Sequence, residues 1–271
     1  MPDSHAPPST DTVLAERVGG VLVLTLNRPD RLNAWNDALE ARYYERLDAA
    51  EDDPEVKAIV VTGAGRGFCA GADLDDLAAA GDRDIEAVLR DRARPRTFPL
   101  TIRKPMIAAI NGAAAGLGLV EALYCDIRFA TPEAKLTTAF ARRGLIAEYG
   151  ISWLLPRLIG QSAALDLLLS ARVVRGDEAH RLGLVDRLSS REDVVADAVA
   201  YAAQLAEHCS PASMAVIKAQ VLADLDRPFA ASVAAADEEM IASFRRPDVI
   251  EGVQSYTEQR PPHFLSLPTR S

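Results

Sequence analysis

Residues 62–74 read TGAGRGFCAGADL and follow directly on the β-branched run 56–62, VKAIVVT. A short apolar run that ends in glycines is the pattern of a buried strand stopping at a turn. Glycines at 63, 65, 67 and 71 let backbone approach a ligand closely and leave N–H groups free to donate. The same grammar recurs at residues 106–126, where MIAAIN reads as a buried strand and GAAAGLGLVEALYCD opens through glycines into a helix. Gly116, Leu117 and Gly118 then fall at that helix's N-terminus. There, unsatisfied N–H groups and the macrodipole favour an anion or a developing oxyanion. Two such turns can each offer one N–H to a single carbonyl oxygen, and a donor in an oxyanion hole is often worth ~3 kcal/mol. A dinucleotide fingerprint does not fit, because the glycines run G-x-G-x-G and the third required glycine falls on Phe68.

Outward from these two stretches, residues 13–18 and 21–27 flank Gly19-Gly20 as a predicted β-hairpin. A helix is expected over 36–50, with Leu39, Tyr43 and Leu47 at helical spacing, and another over 84–94, halted near Pro95. Residues 126–130 read as a further strand. Beyond residue 150 the pattern is helical, over 151–158, 162–170, 177–182, 192–208, 211–225, 230–244 and 247–258. Strands alternating with helices, followed by a helical tail, predict an α/β core with an α-helical C-terminal part.

The chain has 271 residues and a formal charge of −9 from 39 acidic and 30 basic residues. That length can bury a core without staples. The acidic balance argues against a nucleic-acid binder, which needs a cationic excess. Cys69, Cys125 and Cys209 form no CxxC pair and no zinc set, which suits a reducing, cytoplasmic setting. Residues 1–11 read as a disordered tail, and no apolar run is long enough to span a membrane. Ser152 has no G-x-S-x-G elbow, so serine-hydrolase chemistry is not expected.

LNRPDRLN at 26–33, GRGFCAGADL at 65–74 and NGAAAGLGL at 111–119, ending in CD at 125–126, together resemble the enoyl-CoA hydratase/isomerase (crotonase) family. The likeness continues through 144–160 and the tail 259–264, so it covers nearly the whole chain. It implies a ββα spiral core of four turns over 12–200 and a C-terminal α-helical trimerisation region over 201–271, giving homotrimers or dimers of trimers. It also implies an acyl-CoA thioester as substrate, coenzyme A being part of that substrate and no separate cofactor or metal being required.

Residue by residue, the resemblance makes Ala72 and Leu117 the two oxyanion-hole N–H donors. It sets Arg28, Arg31 and Ala34 on the loop along the CoA adenine and phosphates, with Arg66, Ala70, Asp73 and Leu74 nearby. Guanidinium forks suit phosphate oxygens. Tyr256, Arg260 and Phe264 match the tail that closes over CoA from a neighbouring subunit. The hydratase pattern has two glutamates, and their matching positions here are Val120 and Phe140, neither of which titrates. Glu121 lies one residue on, about 100° around the helix, and is read as pointing elsewhere. Glu148, in GLIAEYG at 144–150, matches the lone acid/base of double-bond isomerases in the superfamily. It is expected to be enclosed by Phe140, Tyr149 and Trp153. The expected reaction is therefore isomerisation of an enoyl-CoA, with Glu148 shuttling the proton. An atypical hydratase, a thioester hydrolase or ring-cleaving relative, and a non-catalytic acyl-CoA binder are the alternatives. Residues 77–80 and 84–98 are expected to shape the acyl pocket.

Overall fold

The computed structural model describes residues 11–79 and 84–270, so residues 1–10 of the expected tail and Ala80 of the expected pocket segment lie outside the described residues. Strands β1 (Val13–Val18) and β2 (Val21–Leu26) form the expected antiparallel hairpin, with Gly19 at φ +58° supplying the left-handed turn. Helix α1 (Asp37–Asp52) begins one residue after Asn36, whose side chain accepts the Leu39 N–H at 3.0 Å. Leu39, Tyr43 and Leu47, one helical turn apart, are buried along one face of α1.

The chain then repeats one unit. Strand β3 (Ala58–Gly63), β4 (Gly67–Cys69) and α2 (Leu74–Ala79) make one turn; α3 (Ile85–Arg90) follows. Strand β5 (Met106–Ile110), β6 (Ala113–Ala115) and α4 (Leu117–Leu123) make the next. Strand β7 (Ile127–Ala130), β8 (Lys135–Thr137) and α5 (Ile151–Ile159) make another. The first member of each unit joins a parallel run β2-β3-β5-β7, and the second joins β4-β6-β8 in a separate sheet. An isolated parallel bridge between Trp35 and Ala72 extends the smaller sheet by one position toward the β2–α1 segment. Counting that segment, the spiral has four turns, as expected.

The larger sheet is covered on both faces, which is why its strands are continuously apolar. Along β3 the alternation splits the run: Ile59 and Val61 enter the main core, and Ala58 and Val60 face the opposite layer. That layer is α8 (Val194–His208), which follows α6 (Gln161–Ser170), β9 (Val174–Arg175), α7 (Gly176–Leu182) and β10 (Arg187–Leu188). It presents Val194, Ala198, Ala202 and Ala206 at four-residue spacing, and small side chains let the helix lie close on the sheet. Because α8 is bound to the core sheet, the core does not end at residue 200, in the middle of this helix. The C-terminal region proper is α9 (Pro211–Asp224), α10 (Phe229–Phe244) and α11 (Pro247–Thr257).

Helix α3 ends at Arg90, four residues before the expected stop. Beyond it the segment alternates, with Arg92, Arg94 and Arg96 half-buried and Asp91, Ala93 and Pro95 exposed. The three arginines pair with acids on α1: Arg92 and Arg96 with Glu40, and Arg94 with Asp48. The segment is irregular, bending at Asp91, Ala93 and Arg94, and alternate residues turn toward α1.

Two substitutions test these packings in urea melts. Ala202→Leu overfills the α8–sheet contact and is expected to cost about 2 kcal/mol. Gly118→Ala would gain up to about 1 kcal/mol from helix propensity alone. However, a Cβ there would meet the Cys69 carbonyl oxygen at 2.3 Å and Cys69 Cβ at 2.7 Å. Net destabilisation is therefore expected, and a raised midpoint for Gly118→Ala would contradict the close contact of α4 with β4.

Candidate active site

The two expected oxyanion donors lie on adjoining turns of the spiral. Trp35 donates its N–H to the Gly71 carbonyl at 2.8 Å and accepts the Asp73 N–H at 2.8 Å. In parallel pairing the residue between, Ala72, turns its own N–H away from Trp35, to the side where β6 and the start of α4 lie. Gly71, at φ +93°, makes this approach possible: a Cβ there would meet the Ala115 carbonyl oxygen at 2.6 Å. Across from it, Gly116 at φ +50° caps α4, and its N–H donates to the Thr137 carbonyl at 3.0 Å. The Gly116 carbonyl accepts from Leu119 and Val120 at 3.0 and 3.1 Å. Leu117 is the first residue of α4, so its N–H has no acceptor within the helix. A leucine suffices because only its backbone is used; the side chain is buried in the main core.

The arginines of the first loop divide. Arg28 is held inside the protein, its Nη2 donating to Asp73 Oδ2 at 2.8 Å and its Nη1 to the Ala34 carbonyl at 2.5 Å. The pair is largely buried, and the guanidinium beside Asp73 holds that carboxyl below the ordinary range. Arg28 and Asp73 thus clamp the donor loop to the Ala34 segment, so the guanidinium expected at the phosphates is engaged within the protein. Ala70 is tied in by its N–H to the Leu32 carbonyl at 3.0 Å. Arg31, exposed, faces Asp75 at 3.2 Å, and Arg66 and Leu74 are exposed on the same rim. Arg31 and Arg66 are the guanidinium groups here that a polyanionic ligand can reach.

Asn33 was missed by sequence reasoning. It is fully buried at φ +56°, accepts the Arg28 N–H at 2.9 Å, and donates to the Ala64 and Gly67 carbonyls at 3.0 and 2.9 Å. Its only signal was the N-terminal loop motif itself. Phe264 is not brought to this rim within the protomer. It packs against Gly252 of α11, while Ser266 donates to the Pro54 carbonyl and Arg103 to the Pro268 carbonyl, both at 2.8 Å.

Glu148 lies in the turn before α5, and its carbonyl accepts the Ile151 N–H at 3.1 Å. Its side chain is half-buried, so the aromatic enclosure expected around it is only partial in this protomer. Tyr149 beside it has φ +57°, and its carbonyl accepts the Tyr124 hydroxyl at 2.6 Å. Burial raises the Tyr149 hydroxyl above its ordinary range, opposed by Arg96 and reinforced by Glu148. Val120 and Phe140, at the two positions where hydratases carry glutamates, are both buried in the main core.

Glu121 is the unexpected group. It is 2% exposed, and neither carboxylate oxygen has a hydrogen-bond partner among the described residues. Burial pushes its carboxyl well above the usual range; Arg96 pulls it back and Glu40 adds to the rise. It sits within electrostatic reach of Tyr43, Tyr44, Tyr124 and Cys69, inside the fold and not toward solvent. Cys69 and Cys125 are buried, and burial pushes the Cys69 thiol up to about 12, which fits packing and not nucleophilic attack. Among the described residues no group of His, Cys, Asp and Glu is arranged to hold a metal ion.

The family model for enoyl-CoA hydratase/isomerase matches residues 16–266. A Rhodobacter capsulatus protein named a probable enoyl-CoA hydratase is 38% identical over 94% of this chain and 98% of its own. The 1,2-epoxyphenylacetyl-CoA isomerase of Escherichia coli K12 is 34% identical over 93% of this chain and 97% of its own. Among solved structures, an enoyl-CoA hydratase from Polaromonas aligns with a TM-score of 0.87 at 30% identity, over 93% of this chain and 99% of that one. One from Mycobacterium marinum is 50% identical over 80% of this chain and all of that one, with a TM-score of 0.69. With the spiral core and the paired glycine turns, these matches establish that the chain belongs to the enoyl-CoA hydratase/isomerase family.

Proposed function

We propose that the protein shifts a double bond in an enoyl-CoA. The thioester oxygen is held by the N–H groups of Ala72 and Leu117, and the Glu148 carboxylate removes a proton from C2 of a 3-enoyl-CoA. The electron pair moves into a dienolate whose charge the two donors offset. The same carboxyl then returns the proton at C4, giving the conjugated 2-enoyl-CoA. One observation carries this reading: the two glutamate positions of hydratases are occupied by buried Val120 and Phe140, while Glu148 stands beside the half-buried Tyr149. One carboxyl can move one proton twice, whereas the usual water addition employs two. Coenzyme A enters as part of the substrate, along the rim of Arg31 and Arg66.

Hydration is the second reading, favoured by Glu121, the one carboxyl on α4 and one left without a hydrogen-bond partner among the described residues. The names of the relatives divide between hydratase and isomerase. We also infer self-association as a homotrimer or a dimer of trimers. The reading is supported by helices α10 and α11, which expose the large apolar side chains Phe229, Phe244, Ile250, Val253 and Tyr256.

With 3-hexenoyl-CoA, conjugation followed by ultraviolet absorbance is expected to fall at least ~10²-fold in Glu148→Gln, with KM little changed. Brisk formation of the water adduct that survives Glu148→Gln and stops in Glu121→Gln would replace isomerisation by hydration. Light scattering is expected to give three or six times the chain mass; a monomer would contradict the assembly.

A further inference from the structure

Trp35 touches both halves of the site. Its backbone brackets Ala72, and its indole Nε1–H donates to Glu40 Oε2 at 2.9 Å. The same Glu40 oxygen lies 2.6 Å from Arg96 Nη1, and Arg92 approaches the other carboxylate oxygen at 3.7 Å. Both partners of the closer pair are shielded, their side chains 13% and 14% exposed. On its far side the Arg96 guanidinium lies over the Tyr149 ring, 5.2 Å from its centre. Tyr149 in turn is held by Tyr124 in a left-handed conformation next to Glu148. An unbroken line of contacts therefore runs from the oxyanion donor loop, through α1 and the arginine segment, to the turn that carries the proton-moving carboxyl.

We propose that Arg96 is a positioning residue that fixes the Glu148 turn relative to the Ala72 donor, through its ion pair with Glu40 and its contact with the face of Tyr149. The proposal rests on the reading of Glu148 as the proton carrier. A guanidinium suits the role because its plane can lie on a ring while its edge meets a carboxylate; an ammonium can do only one of these well. The charged and titratable groups around it are Glu40 and Tyr44 on α1, Arg92 on its own segment, Glu121 and Tyr124 on α4, and Tyr149 with Glu148 on the turn. Arg96 is the cation felt by most of them.

The test compares Arg96→Met, Arg96→Lys and Glu40→Gln with the full-length wild type, using 3-hexenoyl-CoA. Arg96→Met is expected to lower kcat by roughly 10–100-fold through misplacement, with KM nearly unchanged. Arg96→Lys, which can meet Glu40 but cannot also lie flat on the Tyr149 ring, should recover only part of kcat. Glu40→Gln should lower kcat at constant KM, and it carries the test if Arg96→Met does not fold. Wild-type kcat in Arg96→Met, or a loss carried by KM instead of kcat, overturns the proposal, as does wild-type kcat in Arg96→Lys and Glu40→Gln together. If Glu148→Gln is inactive in the same assay, that result removes the proposal alone; a fully active Glu148→Gln removes the reading beneath it.

Discussion

The structure depends on how closely α4 presses against β4. Gly118 lies so near Cys69 that a single added carbon would overlap its carbonyl, and Gly71 lies as near to Ala115. These contacts leave the backbone no room to place the donor turns anywhere else. Because the donors are main-chain groups held by sheet pairing and a helix start, their positions do not depend on side-chain rotamers. Preorganisation of this kind is what makes an oxyanion hole effective, since nothing must reorient as charge develops. The spiral is built for such close approach: each turn repeats a strand, a short second strand and a helix, and the glycine turns of two successive units lie against each other.

Around this rigid centre the charges are arranged by burial. The Arg28–Asp73 pair is enclosed and hydrogen-bonded on both sides, so it acts as a fastener for the loop and not as an open ligand site. Outside it, Arg31 and Arg66 face solvent. Inside, Glu121 is driven toward its neutral form by desolvation, with Arg96 opposing the effect only in part. Glu148, half-buried, keeps contact with both protein and solvent.

Much of this was legible in the residues. Long apolar runs such as AIVVTG and MIAAI announce themselves because both faces of the larger sheet are covered. The α8 stripe at four-residue spacing is equally plain, as are the glycines that permit the close backbone contacts. The smaller sheet was not legible, since β4, β6 and β8 have three residues each and show no periodicity. The Arg92–Arg96 alternation was hidden for a different reason: its cause is a set of acids on α1, far back in the sequence. The inward burial of Glu121 was missed as well, because helical position alone does not say which faces of α4 are covered, and here all of them are. The internal use of Arg28 likewise needed its partner Asp73, forty-five residues on, to be seen.

The central claim is that Ala72, Leu117 and Glu148 together generate and hold a thioester enolate. Hydrogen–deuterium exchange at C2 of a saturated acyl-CoA in deuterated water, followed by nuclear magnetic resonance, tests this without requiring any net reaction. The account predicts exchange catalysed by the wild type and abolished in Glu148→Gln, with acyl-CoA still bound by the variant. Exchange that persists in Glu148→Gln, or its absence from a wild type that turns over enoyl-CoA, would contradict it.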